Sequence, residues 1–221
     1  MAAPVEKRPI IMICGCQKYR PYMEAAMRRM LHPDWQVVGI LGDPTLTEAR
    51  LDGAILTLPV PDTYEGLPAK VHAGFAWLTS KIPNLVGIFK TDDDIVFPDK
   101  AAIHKQIMDN RYRPYWGLRV GECKEDAVRA ECIENRFNDK SLRPRHQAAE
   151  RYAFGGGYWV GREALPILVA AGDMYRASVL EDVCTGHLLN ATGIQPPRLF
   201  LPHFEHPRDP SFLSAAQISN A

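Results

Sequence analysis

Three consecutive carboxylates, Asp92, Asp93 and Asp94, are the residues whose type and spacing point most directly to chemistry. They follow an apolar, strand-like segment at 85–89, and open α/β sheets bind ligands at the carboxyl ends of such strands. Neighbouring carboxylates repel one another, so a folded chain tolerates them where a cation or solvent compensates the charge. Because alternate side chains point to one side, we expect Asp92 and Asp94 to converge on one hard cation while Asp93 faces elsewhere.

The acidic run therefore predicts a Mg²⁺ or Mn²⁺ clamp for a substrate that contains a diphosphate, with a solvated acidic turn as the alternative. His203 and His206 lie near the end of the chain and offer a nitrogen ligand to complete the coordination. A nitrogen ligand favours Mn²⁺ over Mg²⁺. A structural role is the alternative for either histidine.

Two further groups of residues lie in the second half of the sequence. Gly155, Gly156 and Gly157 allow the backbone to approach a ligand closely, with a plain tight turn as the alternative. Glu181 and Asp182 open a helix-like segment, where carboxylates are favourable for structural reasons alone. The functional interpretation is a general base that takes a proton from an acceptor hydroxyl. Aromatic residues flank the glycines and predict a wall against a sugar ring: Tyr152, Phe154, Tyr158 and Trp159.

The elements that must position these residues alternate in the first half of the chain. Apolar runs and helical spacing predict strands at 9–16, 35–41, 54–60 and 85–89, and helices at 21–31, at 67–82 and from Pro98. This alternation predicts an α/β fold with a mostly parallel sheet. The second half predicts strands at 114–120 and 158–161 and helices at 162–170 and 181–189. Residues 121–150 are polar without a clear period and predict a long loop on the acceptor side.

The composition gives no sign of a nucleic-acid binder, a disulfide-framework protein or a membrane-spanning protein. The chain has 221 residues, 46% of them hydrophobic, and 26 basic against 26 acidic residues, which gives no support for a nucleic-acid or membrane-surface binder. The cysteine count is five, so no disulfide framework is expected, and Cys14 and Cys16 are expected to be buried thiols. No apolar stretch approaches the ~18 residues that span a bilayer. We therefore expect a cytoplasmic location.

Taken in order, these motifs resemble the family 31 glycosyltransferases, which comprise the β-1,3-galactosyl- and β-1,3-N-acetylglucosaminyltransferases and the fringe proteins. The resemblance covers most of residues 40–205. It is carried by 62–67 (DTYEGL), Lys70, Trp77, 89–94 (FKTDDD), 152–158 (YAFGGGY), 181–186 (EDVCTG) and 199–205 (LFLPHFE). It implies one GT-A domain over 1–221, a Rossmann-like, mostly parallel sheet flanked by helices. Its nucleotide-sugar-binding half is 1–110 and its acceptor-binding half is 111–221.

The resemblance also implies roles for individual residues. Asp94 matches the direct ligand of a divalent metal, usually Mn²⁺, that bridges the diphosphate of a UDP-sugar. Asp92 matches a second ligand or a ribose contact, and His203 matches the remaining ligand, with His206 as the alternative. Asp182 matches the catalytic base of this inverting family. Together with the strand ends, these matches predict the donor-contacting residues: Asp43, Asp62, Lys70, Asp92, Asp93, Gly156 and Gly157.

The sequence thus predicts a metal-dependent inverting transferase that moves a hexose from a UDP-sugar to a glycan or glycoconjugate hydroxyl. One alternative is a sugar nucleotidyltransferase, which needs basic residues at a glycine-rich first loop, and residues 15–18 (GCQK) match that poorly. The other alternative is a relative that binds carbohydrate without catalysis.

Overall fold

A seven-stranded sheet forms the centre of the computed structural model, which describes residues 8–122, 151–178 and 180–197. The strand order is β3-β4-β2-β1-β5-β9-β6, and β7 and β8 form a separate two-stranded ribbon. The strands are β1 (Ile10–Cys14), β2 (Gln36–Gly42), β3 (Arg50–Asp52), β4 (Ile55–Leu58), β5 (Gly87–Asp92), β6 (Tyr115–Gly117), β7 (Val120–Gly121), β8 (Tyr152–Ala153) and β9 (Gly157–Gly161).

The four central strands run parallel to one another. β1 pairs with β2 and β5, and β2 pairs with β4, all in parallel. Antiparallel pairing occurs towards the edges, where β3 pairs with β4 and β9 pairs with both β5 and β6. The predicted α/β class with a mostly parallel sheet is confirmed.

Helices cover both faces of the sheet, which explains why β1 is buried along its whole length. Because side chains alternate along a strand, Ile10 and Met12 pack against one layer of helices while Ile11 and Ile13 pack against the other. Helices α2, α4, α5 and α6 form the first layer, and α1 and α3 form the second. The helices are α1 (Arg20–Arg29), α2 (Leu67–Lys81), α3 (Lys100–Asn110), α4 (Leu165–Ala170), α5 (Gly172–Ala177) and α6 (Glu181–Asn190).

Local sequence signals explain where the helices begin. Proline lies in the first turn of α1, α2 and α4, where its missing N–H group has no partner to lose. Asp99 caps α3, because its side chain accepts the backbone N–H of Ala102 at 2.9 Å. Among the described helices, none is both long and apolar enough to cross a membrane.

The structure corrects several element boundaries. The strand predicted at 85–89 is shifted to Gly87–Asp92, so Lys90, Thr91 and Asp92 belong to the strand itself. The hairpin strand β3 and helix α5 were not predicted, because three exposed residues and a six-residue helix carry too little periodicity. Helix α4 begins at Leu165, three residues later than expected.

Gly87 offers a test of how tightly β5 packs against β9. A methyl group there would lie 2.6 Å from the carbonyl oxygen of Val160 and closer still to the indole of Trp159. We expect Gly87→Ala to lower the free energy of unfolding by about 1–3 kcal/mol, measured by denaturant titration. Gly74→Ala is the matched control, because its methyl group would meet the flexible Met12 thioether at 3.0 Å and it gains helix propensity. Equal stability of the two variants would contradict the predicted crowding.

Candidate functional site

A cavity of about 580 Å³ opens at the carboxyl ends of the parallel strands. It lies where the strand order reverses, with β2 and β4 on one side of β1 and β5 on the other. Cavities of about 300–1,000 Å³ at such a switch point bind small molecules and cofactors. The lining residues are Cys14, Gly15, Cys16, Lys18, Tyr19, Asp62, Thr63, Tyr64, Leu67, Lys70, Asp92, Asp93, Asp94, Gly155, Leu180, Glu181 and Asp182.

All three residues of the acidic run line this cavity. Asp92 ends β5 beside Cys14 of β1, and the backbone N–H of Asp93 donates to the Cys14 carbonyl at 3.1 Å. The chain then turns, with the Ile95 N–H donating to the Asp92 carbonyl at 3.3 Å. This turn ends the alternation of the strand, so the expectation that Asp93 faces away from the others is wrong. Burial, together with the charges of Asp94 and Asp92, raises the pKa of Asp93 to about 7.

A fully buried lysine, Lys90, lies directly behind the acidic run. Its ammonium group is 2.7 Å from Asp92 Oδ1, 2.5 Å from Glu181 Oε1 and 2.7 Å from the carbonyl oxygen of Gly155. Burial alone would lower the pKa of Lys90, but the carboxylates of Asp92 and Glu181 outweigh it and hold that pKa well above its usual range. Lys90 is therefore a permanent cation that joins β5, the glycine run and the start of α6.

The Asp182 carboxylate lies on the cavity wall at the start of α6 and is 5% exposed. The backbone N–H of Gly155 donates to its Oδ2 atom at 3.0 Å, and its own neighbour Val183 donates to Oδ1 at 2.8 Å. These two donors fix the plane of the carboxylate. Beside it, burial raises the pKa of Glu181 above its usual range, although the Lys90 ammonium opposes this effect.

Asp62 and Lys70 line the opposite part of the cavity and are bonded to the chain itself. Asp62 accepts the backbone N–H groups of Gln17 at 2.5 Å and Gly42 at 2.8 Å. The buried Lys70 ammonium donates to Asp62 at 2.6 Å and to the carbonyl of Gly15 at 2.7 Å. This pair fastens the loop after β1 to the end of β2, so it shapes the cavity wall whether or not it also contacts a ligand.

Cys14 and Cys16 lie at the floor and rim of the cavity. Burial raises the pKa of both thiols above its ordinary value. They are accordingly protonated at neutral pH, which argues against a thiolate nucleophile in this site.

Three other predicted donor contacts, Asp43, Gly156 and Gly157, are not among the residues that line the cavity. Asp43 accepts the N–H and hydroxyl groups of Thr45 in a turn beyond β2. Gly157 belongs to β9, where a side chain would collide with Leu118, and the Gly156 carbonyl accepts the hydroxyl of Thr91 at 2.8 Å. Gly155 is thus the residue of the glycine run that lines the cavity. Nothing in this geometry supports donor contacts by Asp43, Gly156 or Gly157.

The predicted aromatic wall is wrong for three of its four members. Tyr158 and Trp159 are completely buried and Tyr152 is 2% exposed. β9 lies between β5 and β6 with helices on its faces, so its aromatic rings pack into the core on both sides. Phe154 is half-buried and packs against Tyr152, with ring centroids 5.1 Å apart.

Some predicted residues lie outside the described part of the chain. These are His203, His206 and nearly all of the loop at 121–150, so the ligand set of Asp92, Asp94 and His203 stays a prediction. Sequence reasoning missed the ion pair between Lys90 and Glu181, because it considered Glu181 only with Asp182 as a possible base and gave Lys90 no role. A lysine between an apolar strand and an acidic run was the available signal, because a buried lysine needs carboxylate partners.

Comparison with known proteins identifies the family. The model of a family described as galactosyltransferase matches residues 39–199, and the chain therefore belongs to this family. Family membership and the observed architecture agree with the GT-A fold that the resemblance implied.

Two curated relatives carry the name UDP-GlcNAc:betaGal beta-1,3-N-acetylglucosaminyltransferase 7. The Rattus norvegicus protein is 28% identical over 149 residues and the Mus musculus protein 27%. Each match covers 67% of this chain but 37% of the relative, so the chain spans little more than a third of their length.

Two solved structures share a more distant likeness. The 4-diphosphocytidyl-2C-methyl-D-erythritol synthase of Anaerococcus prevotii DSM 20548 is 12% identical with a TM-score of 0.48, and the match covers 91% of this chain and 88% of that one. The galactosyltransferase LgtC, solved with donor and acceptor sugar analogs, is 15% identical with a TM-score of 0.39, covering 85% and 72%.

Lys90 provides the test of how the site is held together. We expect Lys90→Met to lower the free energy of unfolding by about 3–5 kcal/mol, because it leaves buried carboxylates without their cation. Adding Glu181→Gln should restore part of this loss. The loss should grow as pH rises above about 8, where Glu181 of the unaltered protein ionises beside Lys90 while Glu181 of the variant must still keep its proton.

Denaturant unfolding of the unaltered protein and of the single and double variants at neutral and mildly alkaline pH measures these effects. Lys105→Met is the matched control, because Lys105 is 76% exposed and pairs with Asp109 on the surface of α3. We expect that control to change stability by less than about 0.5 kcal/mol. A Lys90→Met protein as stable as the control would show that the buried ammonium is not what joins these segments.

Proposed function

We propose that this chain catalyses metal-dependent, inverting transfer of a hexose from a UDP-sugar to a hydroxyl group of a glycan or glycoconjugate. The observation that carries the proposal is that one cavity holds both the acidic run and the Asp182 carboxylate, with Gly155 between them. Membership of the galactosyltransferase family supports glycosyl transfer. The names of the rat and mouse relatives point to a UDP-sugar donor for those proteins.

The acidic run fits a hard divalent ion. It supplies carboxylate oxygens at a cavity wall, where burial, and then the neighbouring charges of Asp94 and Asp92, raise the pKa of Asp93. Oxygen donors suit Mg²⁺ and Mn²⁺. Asp92 and Asp94 would hold the ion, with His203 as the proposed third ligand. The bound ion would supply charge neutralisation for the diphosphate leaving group.

Asp182 is the proposed general base. Its two backbone N–H donors orient the carboxylate, and its position on the cavity wall lets an acceptor hydroxyl reach it. The acceptor oxygen forms a bond to the anomeric carbon from the face opposite the diphosphate, the bond to the diphosphate oxygen breaks, and the hydroxyl proton passes to Asp182. One such displacement inverts the configuration at the anomeric carbon and releases UDP.

Asp182→Asn tests the base assignment. An amide cannot take up the proton, so we expect kcat to fall by about 10²–10⁴-fold while donor affinity stays unchanged. Transfer is measured as UDP release with an acceptor, and donor affinity by calorimetry. Asp173→Asn is the matched control, because Asp173 lies on the surface of α5. Normal turnover by Asp182→Asn would contradict its role as the base.

Asp94→Asn tests the metal assignment. Loss of one carboxylate ligand should weaken Mn²⁺-dependent donor binding by at least about tenfold, and EDTA should abolish that binding in the unaltered protein. A thermal-shift screen of UDP-sugars with and without Mn²⁺ measures both effects and identifies the donor. Donor binding that is indifferent to EDTA would contradict metal dependence.

The same assays separate the alternatives. A sugar nucleotidyltransferase would release pyrophosphate from UTP and a sugar phosphate. A non-catalytic relative would bind the donor without releasing UDP in the presence of any acceptor.

A further inference from the structure

A second group of ligand-type side chains lies away from the cavity. His32 and Asp34 belong to the connection between α1 and β2, and His104 belongs to α3. This connection lies at the amino end of β2, where the Gln36 N–H donates to the carbonyl of Pro9. The cavity, in contrast, lies at the carboxyl ends of the strands. The cluster and the cavity therefore lie at opposite ends of the parallel strands.

The three side chains converge closely. One ligand atom from each lies within 4.8 Å of the other two. His104 Nε2 is 2.7 Å from Asp34 Oδ2, and His32 Nδ1 is 3.5 Å from the same oxygen. Ligand atoms about 2.0–2.1 Å from a tetrahedral zinc ion stand roughly 3.3 Å apart. The two distances to Asp34 bracket this value, and the two imidazole rings lie against each other with centroids 4.1 Å apart.

A packed indole supports the two imidazole rings. Trp35 is 6% exposed, and its ring N–H donates to the carbonyl of Met30 at 2.6 Å. Its ring centroid lies 4.9 Å from that of His32 and 5.3 Å from that of His104. The ligand side chains themselves are 29–44% exposed, so water can reach an ion there and complete its coordination.

Without a metal, hydrogen bonds join the three residues of the cluster. His104 shares a proton with the Asp34 carboxylate, and the backbone N–H of Asp34 donates to His32 Nδ1 at 3.2 Å. A divalent ion would displace the shared proton and take the lone pair of His32. Two imidazole nitrogens and one carboxylate oxygen form a donor set that suits Zn²⁺, Cu²⁺ or Ni²⁺ better than Mg²⁺.

We propose that His32, Asp34 and His104 form a divalent-metal site of the Zn²⁺ class that ties α3 to the connection between α1 and β2. This site is separate from the donor cavity and does not depend on the proposed transferase function. Binding of Zn²⁺ there stabilises the folded chain, because the unfolded chain does not hold the three side chains together.

Calorimetric titration of the whole chain with Zn²⁺, in excess Mg²⁺ to occupy oxygen-donor sites, tests the proposal. We expect one Zn²⁺-binding event that His104→Gln weakens by at least about tenfold, since even outer partners of metal ligands contribute that much. His187→Gln is the matched control, because it removes a histidine from the last turn of α6. At the same Zn²⁺ concentration, Tm should rise more in the control than in His104→Gln.

Electron paramagnetic resonance of bound Cu²⁺ gives an independent readout. We expect nitrogen couplings from two imidazoles in the unaltered chain and in His187→Gln, and from one in His104→Gln and in His32→Gln. Circular dichroism without metal shows whether each variant is folded. A folded protein from either His104→Gln or His32→Gln is enough for the test. Identical Zn²⁺ isotherms and Cu²⁺ spectra for the unaltered chain and a folded ligand variant would overturn the proposal.

Discussion

The buried charge of Lys90 is the interaction on which the geometry of the cavity depends. An ammonium group without solvent costs several kcal/mol unless its donors are satisfied, so its three oxygen partners must stay close to it. Those partners come from β5, from the glycine run and from α6, which are far apart in sequence. The carbonyl of Gly155 accepts a hydrogen bond from Lys90, and the N–H group of Gly155 donates one to Asp182. One cation thus sets the distance between the acidic run and the proposed base.

A second buried lysine repeats this arrangement on the other side of Cys14. Lys70 and Asp62 fasten the loop after β1 to the end of β2, as Lys90 fastens the end of β5 to α6. Both lysines satisfy carboxylates and backbone carbonyls together, which makes their positions strongly determined. Internal ion pairs therefore form part of the cavity wall, and the residues proposed to meet the donor and the acceptor lie on the same wall.

Sequence patterns predicted the parallel sheet because its strands are apolar on both faces, and they located Asp92–94 and Asp182 because those residues sit at strand and helix ends. They failed where the outcome depends on partners distant in sequence. The charge of Lys90 concealed the true extent of β5, and only the pairing of β9 with β5 shows that Gly155 lines the cavity while Tyr158 and Trp159 belong to the core. His104 meets Asp34 across a separation of 70 residues, which no local spacing reveals.

The strand order has a consequence for how this chain folds as it is synthesised. β5 is complete after residue 92, yet its free edge is covered by β9, which ends at residue 161. A nascent chain that has made only the parallel strands exposes an apolar edge ready to pair with another molecule. Protection of that edge depends on β9, which lies beyond residues 123–150. The residues that follow this stretch thus complete two things: β9 covers the edge of β5, and Gly155 and Glu181 supply partners for Lys90 in the cavity wall.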